Sequence, residues 1–176
     1  GWQSNPNMCP LAGMSHGVSG IIYALAKLWS YKKDNTILSA IKKGLIFENS
    51  LFVQEYGNWK DERYYKGEKV SESNQYTAAW CHGAPGILSR LRIWNWMDGE
   101  IADIVMKDIK RSVDAVQDSC RGANNCLCHG NMGNTEIMIE YCKVISDKKM
   151  QERSELLRKN LIEKISQDEN LGIKPF

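Results

Sequence analysis

All three histidines of this chain fall in one pattern, His-Gly-x-x-Gly. The copies are Ser15-His16-Gly17-Val18-Ser19-Gly20, Cys81-His82-Gly83-Ala84-Pro85-Gly86 and Cys128-His129-Gly130-Asn131-Met132-Gly133. Two of them carry a cysteine directly before the histidine, and each opens an apolar, helix-like run. Thiolate and imidazole are ligands that zinc favours in tetrahedral sets, and a catalytic zinc keeps its fourth position open. Cys81, Cys128 and His129 form such a set, two of them adjacent on one turn and the third brought from another repeat. Two thiolates and a neutral imidazole cancel the charge of Zn²⁺. A further thiol joining them loses its proton, because coordination lowers its pKa, and beside two electron-rich sulfurs it stays nucleophilic. The implied reaction is attack by a zinc-bound thiolate.

Plainer readings stand beside this one. The metal can be structural, or there can be none, although zinc fingers use paired Cys-x-x-Cys spacings that this sequence lacks. Cys126 in Cys126-Leu127-Cys128-His129 competes as a ligand but lies just outside the repeated pattern, which ranks it as a spare thiol. His16 is either a core or helix-capping histidine, or an acid/base group facing the zinc. His82 either hydrogen-bonds near a substrate or covers the end of a helix. Trp80 reads more as packing that holds Cys81 in place than as a substrate platform. Cys9, Cys120 and Cys142 read as structural.

The elements that must bring these residues together follow from apolar periodicity. Residues 1–15, with Pro6 and Pro10, read as a leading loop. Val18 to Trp29 is apolar nearly all round, with Ile21, Leu25 and Leu28 on one face and Ile22, Ala26 and Trp29 beside it, which predicts a buried helix. Asp34-Asn35-Thr36 offers caps for the next one. In that helix Ile37, Ile41, Leu45 and Phe52 form the apolar side to about Glu55, while Lys42, Lys43 and Glu48 face elsewhere. From Gly57 to Thr77 the periodicity fails, which predicts a long loop of the kind that often carries function, here with substrate covering as its expected role. Pro85 falls in the first turn of the next apolar helix, continued by Ile87, Leu88, Leu91 and Trp94. After a turn at Asp98-Gly99, Ile101, Ile104, Val105, Ile109, Val113 and Val116 trace an amphipathic helix whose wet side is Asp103, Lys107, Lys110 and Arg111. Ile137, Met138, Tyr141, Cys142 and Ile145 form the third apolar helix. Residues 150–167, with the stripe Leu157, Leu161 and Ile165, form its charged partner, and 170–176 has loop character. The order is apolar helix then amphipathic helix, three times over, as in a stacked array of hairpins. If the apolar helices form the inner ring, their N-terminal ends, with residues 16, 81–82 and 128–129, gather at one mouth.

Bulk composition agrees with a folded domain. The 176 residues are 43% hydrophobic and 25% charged, enough for a sizeable core in one domain. A net charge of +2, from 23 basic and 21 acidic residues, argues against nucleic acid or an anionic membrane as the main partner. No run approaches a membrane span, and residues 1–20 lack the basic start and apolar middle of a signal peptide. The expected location is the cytoplasm. Six cysteines beside histidines and inside apparent helices point to reduced thiols, some binding metal, and not to a disulfide framework.

Trp80-Cys81-His82-Gly83-Ala84-Pro85-Gly86-Ile87 and Leu127-Cys128-His129-Gly130-Asn131-Met132-Gly133-Asn134 resemble the two zinc-ligand motifs of the lanthionine synthetase cyclases. Ser15-His16-Gly17-Val18-Ser19-Gly20-Ile21 is similar to the family's third signature, which bears its proposed acid/base histidine. The detail resembles most the C-terminal cyclase domain of class II, LanM-type synthetases, and the resemblance covers essentially the whole chain. It implies an all-α fold, an α/α toroid of which these three hairpins are a partial ring, and a bound Zn²⁺ held by Cys81, Cys128 and His129. The implied substrate is a precursor peptide whose Ser and Thr have been dehydrated to dehydroalanine and dehydrobutyrine. A peptide cysteine adds to the alkene to close a lanthionine or methyllanthionine ring, with His16 as acid/base group; His82 and Trp80 stand as substrate-near candidates from their own places beside Cys81, not from the resemblance. Four departures accompany this. The family ring has more hairpins than the three counted here, and the dehydratase domain of class II enzymes and the catalytic aspartate of stand-alone cyclases have no counterpart. The arginine that those cyclases carry before Trp-Cys aligns with Thr77. The expectation is a piece of a larger synthetase, partnered by the missing hairpins and dehydratase, poorly active alone, with apolar flanks exposed. Two other functions share the motifs: LanC-like addition of glutathione to dehydrated residues, and a zinc-stabilised helical binding scaffold without catalysis.

Overall fold

A computed structural model describes residues 2–3, 9–62, 75–119 and 124–167 of the chain. The architecture is all-α. Helices α1 (Val18–Lys32) and α2 (Asn35–Asn49) form the first hairpin. A two-stranded ribbon follows, with β1 (Phe52–Val53) antiparallel to β2 (Asn58–Trp59) and Phe52 opposite Trp59. The second hairpin pairs α3 (Ala84–Leu88), prolonged by 3₁₀ turns over Ser89–Arg92 and Trp94–Trp96, with α4 (Gly99–Ser119). The third pairs α5 (Asn131–Ile145) with α6 (Lys148–Gln167), and α5 also packs against α3 and α4. None of these helices is long and apolar enough to cross a membrane.

One core runs through the hairpins: Val18, Ile22, Ala26 and Trp29 from α1, Ile41 and Leu45 from α2, Ile87 and Leu88 from α3. Val105, Ile109, Val113 and Val116 join from α4, and Ile137, Met138 and Cys142 from α5. Each fully buried aliphatic side chain contributes about 1.5–3 kcal/mol, so the periodicity of α4 translates directly into one packed face. Asp34 caps α2, accepting from Thr36 N at 2.7 Å, which lowers its carboxyl pKa.

Several elements depart from the sequence reading. The α1 helix is buried on one side only: Ile22, Ala26 and Trp29 are enclosed while Ile21, Leu28 and Tyr31 face outward. The α2 helix stops at Asn49 and not near Glu55, because Phe52 turns into the ribbon to meet Trp59 edge-on at 4.8 Å. Glu48 faces the core and not solvent; its carboxylate has polar partners inside, described below. The helix opened by Pro85 loses α geometry after Leu88, which leaves Trp94 37% exposed and buries Ile93 instead. Ile145 and Cys9 are exposed. The 57–77 loop begins with the ordered strand Asn58–Trp59 and buried Asp61; its remainder at 63–74, Pro6, Cys120 and the tail at 170–176 lie outside the described residues.

Candidate metal centre

The repeated pattern has a repeated geometry. A Cβ on the second glycine of each copy would stand 2.3 Å from Met14 O, 2.3 Å from Trp80 O or 2.0 Å from Leu127 O, for Gly20, Gly86 and Gly133 in turn. In each case that carbonyl lies two residues before the histidine, so the first turn of the helix rests on the segment leading into it. Only glycine permits that approach. The first helical N–H is closed by a backbone carbonyl in two of the copies: Val18 N donates to Leu11 O at 2.8 Å and Asn131 N to Asn124 O at 3.0 Å. In the middle copy the acceptor is a side chain, Asn58 Oδ1, at 3.0 Å from Ala84 N.

The three copies are then bonded to each other through the residue preceding each histidine. Ser15 N donates to Cys81 O at 3.2 Å, and Cys81 N donates to Cys128 O at 3.1 Å. Gly13, at φ +102°, lies so close to this rung that a Cβ would fall 2.8 Å from Cys81 O. Asn134 Nδ2 adds a bond to Ala78 O at 3.0 Å, tying α5 to the segment leading into Trp80. The Cys81 peptide thus joins all three motifs.

At this junction one ligand atom each from Cys81, Cys128 and His129 lies within 4.8 Å of the others. Two ligands about 2.3 Å from a tetrahedral ion stand roughly 3.8 Å apart, so this spacing suits a shared metal, and a pair of thiols with an imidazole suits zinc. Cys81 is buried, while Cys128 and His129 are half-buried. Cys126 has no place in that cluster; its Sγ accepts a hydrogen bond from His129 N at 3.2 Å and so orients the next ligand.

The other sequence candidates distribute around this centre. His16 is exposed, one residue beyond the Ser15–Cys81 bond. His82 is fully enclosed, with Nε2 3.4 Å from Oδ2 of the equally buried Asp61. Trp80 is half-buried and lines a groove of about 590 Å³ that reaches Cys128. Leu127 and Ile137 supply apolar walls of this groove, and Glu136 and Lys143 polar ones; Arg92 and Glu140 join them, paired through Nε–Oε1 at 2.7 Å and Nη2–Oε2 at 2.6 Å.

Sequence reasoning missed the buried ions beneath the loop that touches Cys81. Arg90 bonds Glu48 at 2.5 Å and also Asp108, all three almost fully buried. Glu48 in turn accepts from Gly13 N at 2.8 Å and from Ser19 Oγ at 2.8 and 2.9 Å. The loop pressed against Cys81 is therefore held from below by a carboxylate on α2. Asn58 and Asp61 were missed too. Arg90, Asn58 and Asp61 have no periodic signal; the available clue was charge at core spacing, as Glu48 follows Ile41 and Leu45 and Asp108 follows Ile101 and Val105.

The chain matches the lanthionine synthetase C-like protein family over residues 2–175. It is also 27% identical over 155 residues to the lacticin 481/lactococcin biosynthesis protein LcnDR2 of Lactococcus lactis subsp. lactis. That alignment covers 84% of this chain and 16% of the relative's length. With glycine-braced motifs that converge on two cysteines and a histidine, and a match from one end of the sequence almost to the other, the chain belongs to the lanthionine synthetase C-like family.

Proposed function

We propose that this chain carries the zinc-binding part of a lanthipeptide cyclase, which joins a peptide cysteine to dehydroalanine or dehydrobutyrine in the same precursor peptide. The observation that carries this reading is the convergence of Cys81, Cys128 and His129 within 4.8 Å; family membership and the printed role of LcnDR2 support it. When bound there, zinc supplies a Lewis acid that lowers the pKa of an incoming thiol and keeps it nucleophilic at neutral pH. Cys81, Cys128 and His129 would be the side chains that hold the ion. The groove along Trp80, Leu127 and Ile137 receives the peptide around its cysteine, and its apolar walls limit water beside the reacting carbon. The thiol gives up its proton, a sulfur–carbon bond forms at the β-carbon, and the α-carbon takes up a proton. His16, itself exposed and next to the Ser15–Cys81 bond, is the group proposed to hold and deliver that proton. The three hairpins would form a sector of an α/α toroid, acting with further hairpins and a dehydratase; the small share of LcnDR2 that is covered and the outward-facing Ile21, Leu28 and Tyr31 support this.

The test is a dehydrated peptide with one cysteine, incubated with the chain and zinc, alone and with the remaining hairpins of a LanM-type enzyme. Ring closure leaves the mass unchanged and removes one alkylatable thiol. Glutathione supplied as competitor should not add its mass; if it adds and no ring forms, the thiol donor is glutathione. A zinc-loaded assembly that leaves both thiol and alkene untouched would reduce the centre to a structural one.

A further inference from the structure

The middle motif lacks the closure that the other two have, and the segment between α2 and α3 supplies a replacement. In the first and third copies a main-chain carbonyl accepts the first helical N–H. In the middle copy Asn58 Oδ1 accepts from Ala84 N at 3.0 Å and from Trp59 N at 2.8 Å. The amide of the same side chain donates to Tyr76 O at 2.9 Å and Thr77 O at 3.4 Å, on the segment leading into Trp80. Asn58 therefore bridges both sides of Cys81. Three residues on, Asp61 faces the His82 ring at 3.4 Å with both side chains fully buried, and its own N–H donates to Gln75 O at 2.7 Å. The anchor is itself rigid. Asn58 pairs with Val53 in the ribbon, Phe52 meets Trp59 edge-on, and the Arg111 guanidinium of α4 lies 4.2 Å over the Phe52 ring.

We infer that Asn58 and Asp61 are positioning residues for the Cys81 arm of the metal centre, acting through the backbone at Ala84 and through His82. The inference rests on the proposed metal site, and it gives the start of the segment after α2 a role in that site. Groups that orient a metal ligand influence affinity strongly: their loss commonly costs about 10–100-fold in binding. Asn58 is bonded to residues 76, 77 and 84 and Asp61 faces His82, so their effect travels through the geometry of the segment that carries Cys81.

The experiment uses the whole chain and Co²⁺ as a spectroscopic probe, titrated in competition with a chelator of known affinity. Asn58→Ala and Asp61→Ala are each expected to weaken Co²⁺ binding by about 10–100-fold and to change the thiolate-to-cobalt absorption. Asn58→Asp keeps the oxygen that accepts from Ala84 N but loses the donor to Tyr76 O and Thr77 O, and should recover only part of the affinity. Val105→Ala, a truncation in the α4 core, serves as control: it should lower stability while leaving cobalt affinity unchanged. Hydrogen exchange in the metal-free chain provides a second readout, faster at Ala84 N–H in Asn58→Ala and unaltered in Asn58→Asp. Wild-type affinity in both alanine variants, or an equal loss in Val105→Ala, overturns the inference. A wild type that takes no cobalt overturns the metal assignment, and with it the role of these residues toward a metal. Unchanged exchange at Ala84 in Asn58→Ala overturns the capping role by itself.

Discussion

Cys81 is bonded through its backbone to Ser15 on one side and Cys128 on the other, so its sulfur is presented by a peptide that neighbouring repeats already hold. This divides the nearby side chains into ligands and supports. Cys81→Ala, Cys128→Ala and His129→Ala should each abolish stoichiometric zinc, measured by elemental analysis after gel filtration, whereas Cys126→Ala should retain it. Zinc lost from Cys126→Ala as completely as from Cys128→Ala would make Cys126 a ligand. His16→Ala should keep its zinc and lose about 10²–10⁴-fold in cyclisation rate, the usual worth of a positioned acid or base. A variant that cyclises at the parent rate would remove His16 from the reaction. The convergence of Cys81, Cys128 and His129 was legible because type and spacing repeat along the chain. Asn58 and Asp61 were not: a polar residue in an aperiodic stretch looks the same whether it faces water or caps a buried helix.

Among the elements, α2 combines two tasks on one helix. Ile41 and Leu45 pack into the core, and Glu48, one turn on, reaches Gly13, Ser19 and Arg90. An amphipathic pattern assigns a charge to the wet side by default, and Arg90, far along the sequence, leaves no trace near Glu48; that is why the sequence reading placed Glu48 outside. Replacing Arg90 strands two buried carboxylates. Arg90→Met should cost about 3–5 kcal/mol in urea denaturation, and a loss within experimental error would mean the network is not enclosed. The pH dependence follows from the same burial. Desolvation raises the Glu48 carboxyl above its ordinary 4.5, opposed by Arg90, and raises Asp108 above its ordinary 3.8, again opposed by Arg90. A carboxyl with a raised native pKa holds its proton to higher pH folded than unfolded, so the native chain binds more protons within that window. This pair's contribution to stability is full below the ordinary values and declines as pH rises through the raised ones. Glu48→Gln should flatten that decline in urea midpoints measured from pH 4.5 upward. A parent chain whose stability climbs over that range, with Glu48→Gln following the same curve, would contradict the assignment.

On the scale of the molecule, the bonds from Ser15 to Cys81 and from Cys81 to Cys128 repeat one step from hairpin to hairpin. The ordering of hairpins was readable from apolar periodicity and three matching motifs, since one core threads all of them. Which helix faces meet neighbours was not readable, because an apolar stripe looks alike whether its partner is present or absent. Ile21, Leu28 and Tyr31 form such a stripe on α1, at helical spacing and exposed. The chain should self-associate through this stripe in sedimentation velocity, and Leu28→Lys with Tyr31→Lys should reduce that while leaving zinc content unchanged; a monomeric parent, or association unaltered by the substitutions, would show the stripe is inert. The central claim concerns the metal, and X-ray absorption at the zinc edge of the purified chain tests it most directly. The account predicts one zinc per chain with two sulfur neighbours near 2.3 Å and one imidazole nitrogen near 2.0 Å, and one sulfur fewer in Cys81→Ala if any zinc stays bound. A zinc shell without sulfur, or one that keeps both sulfurs in Cys81→Ala, would contradict it.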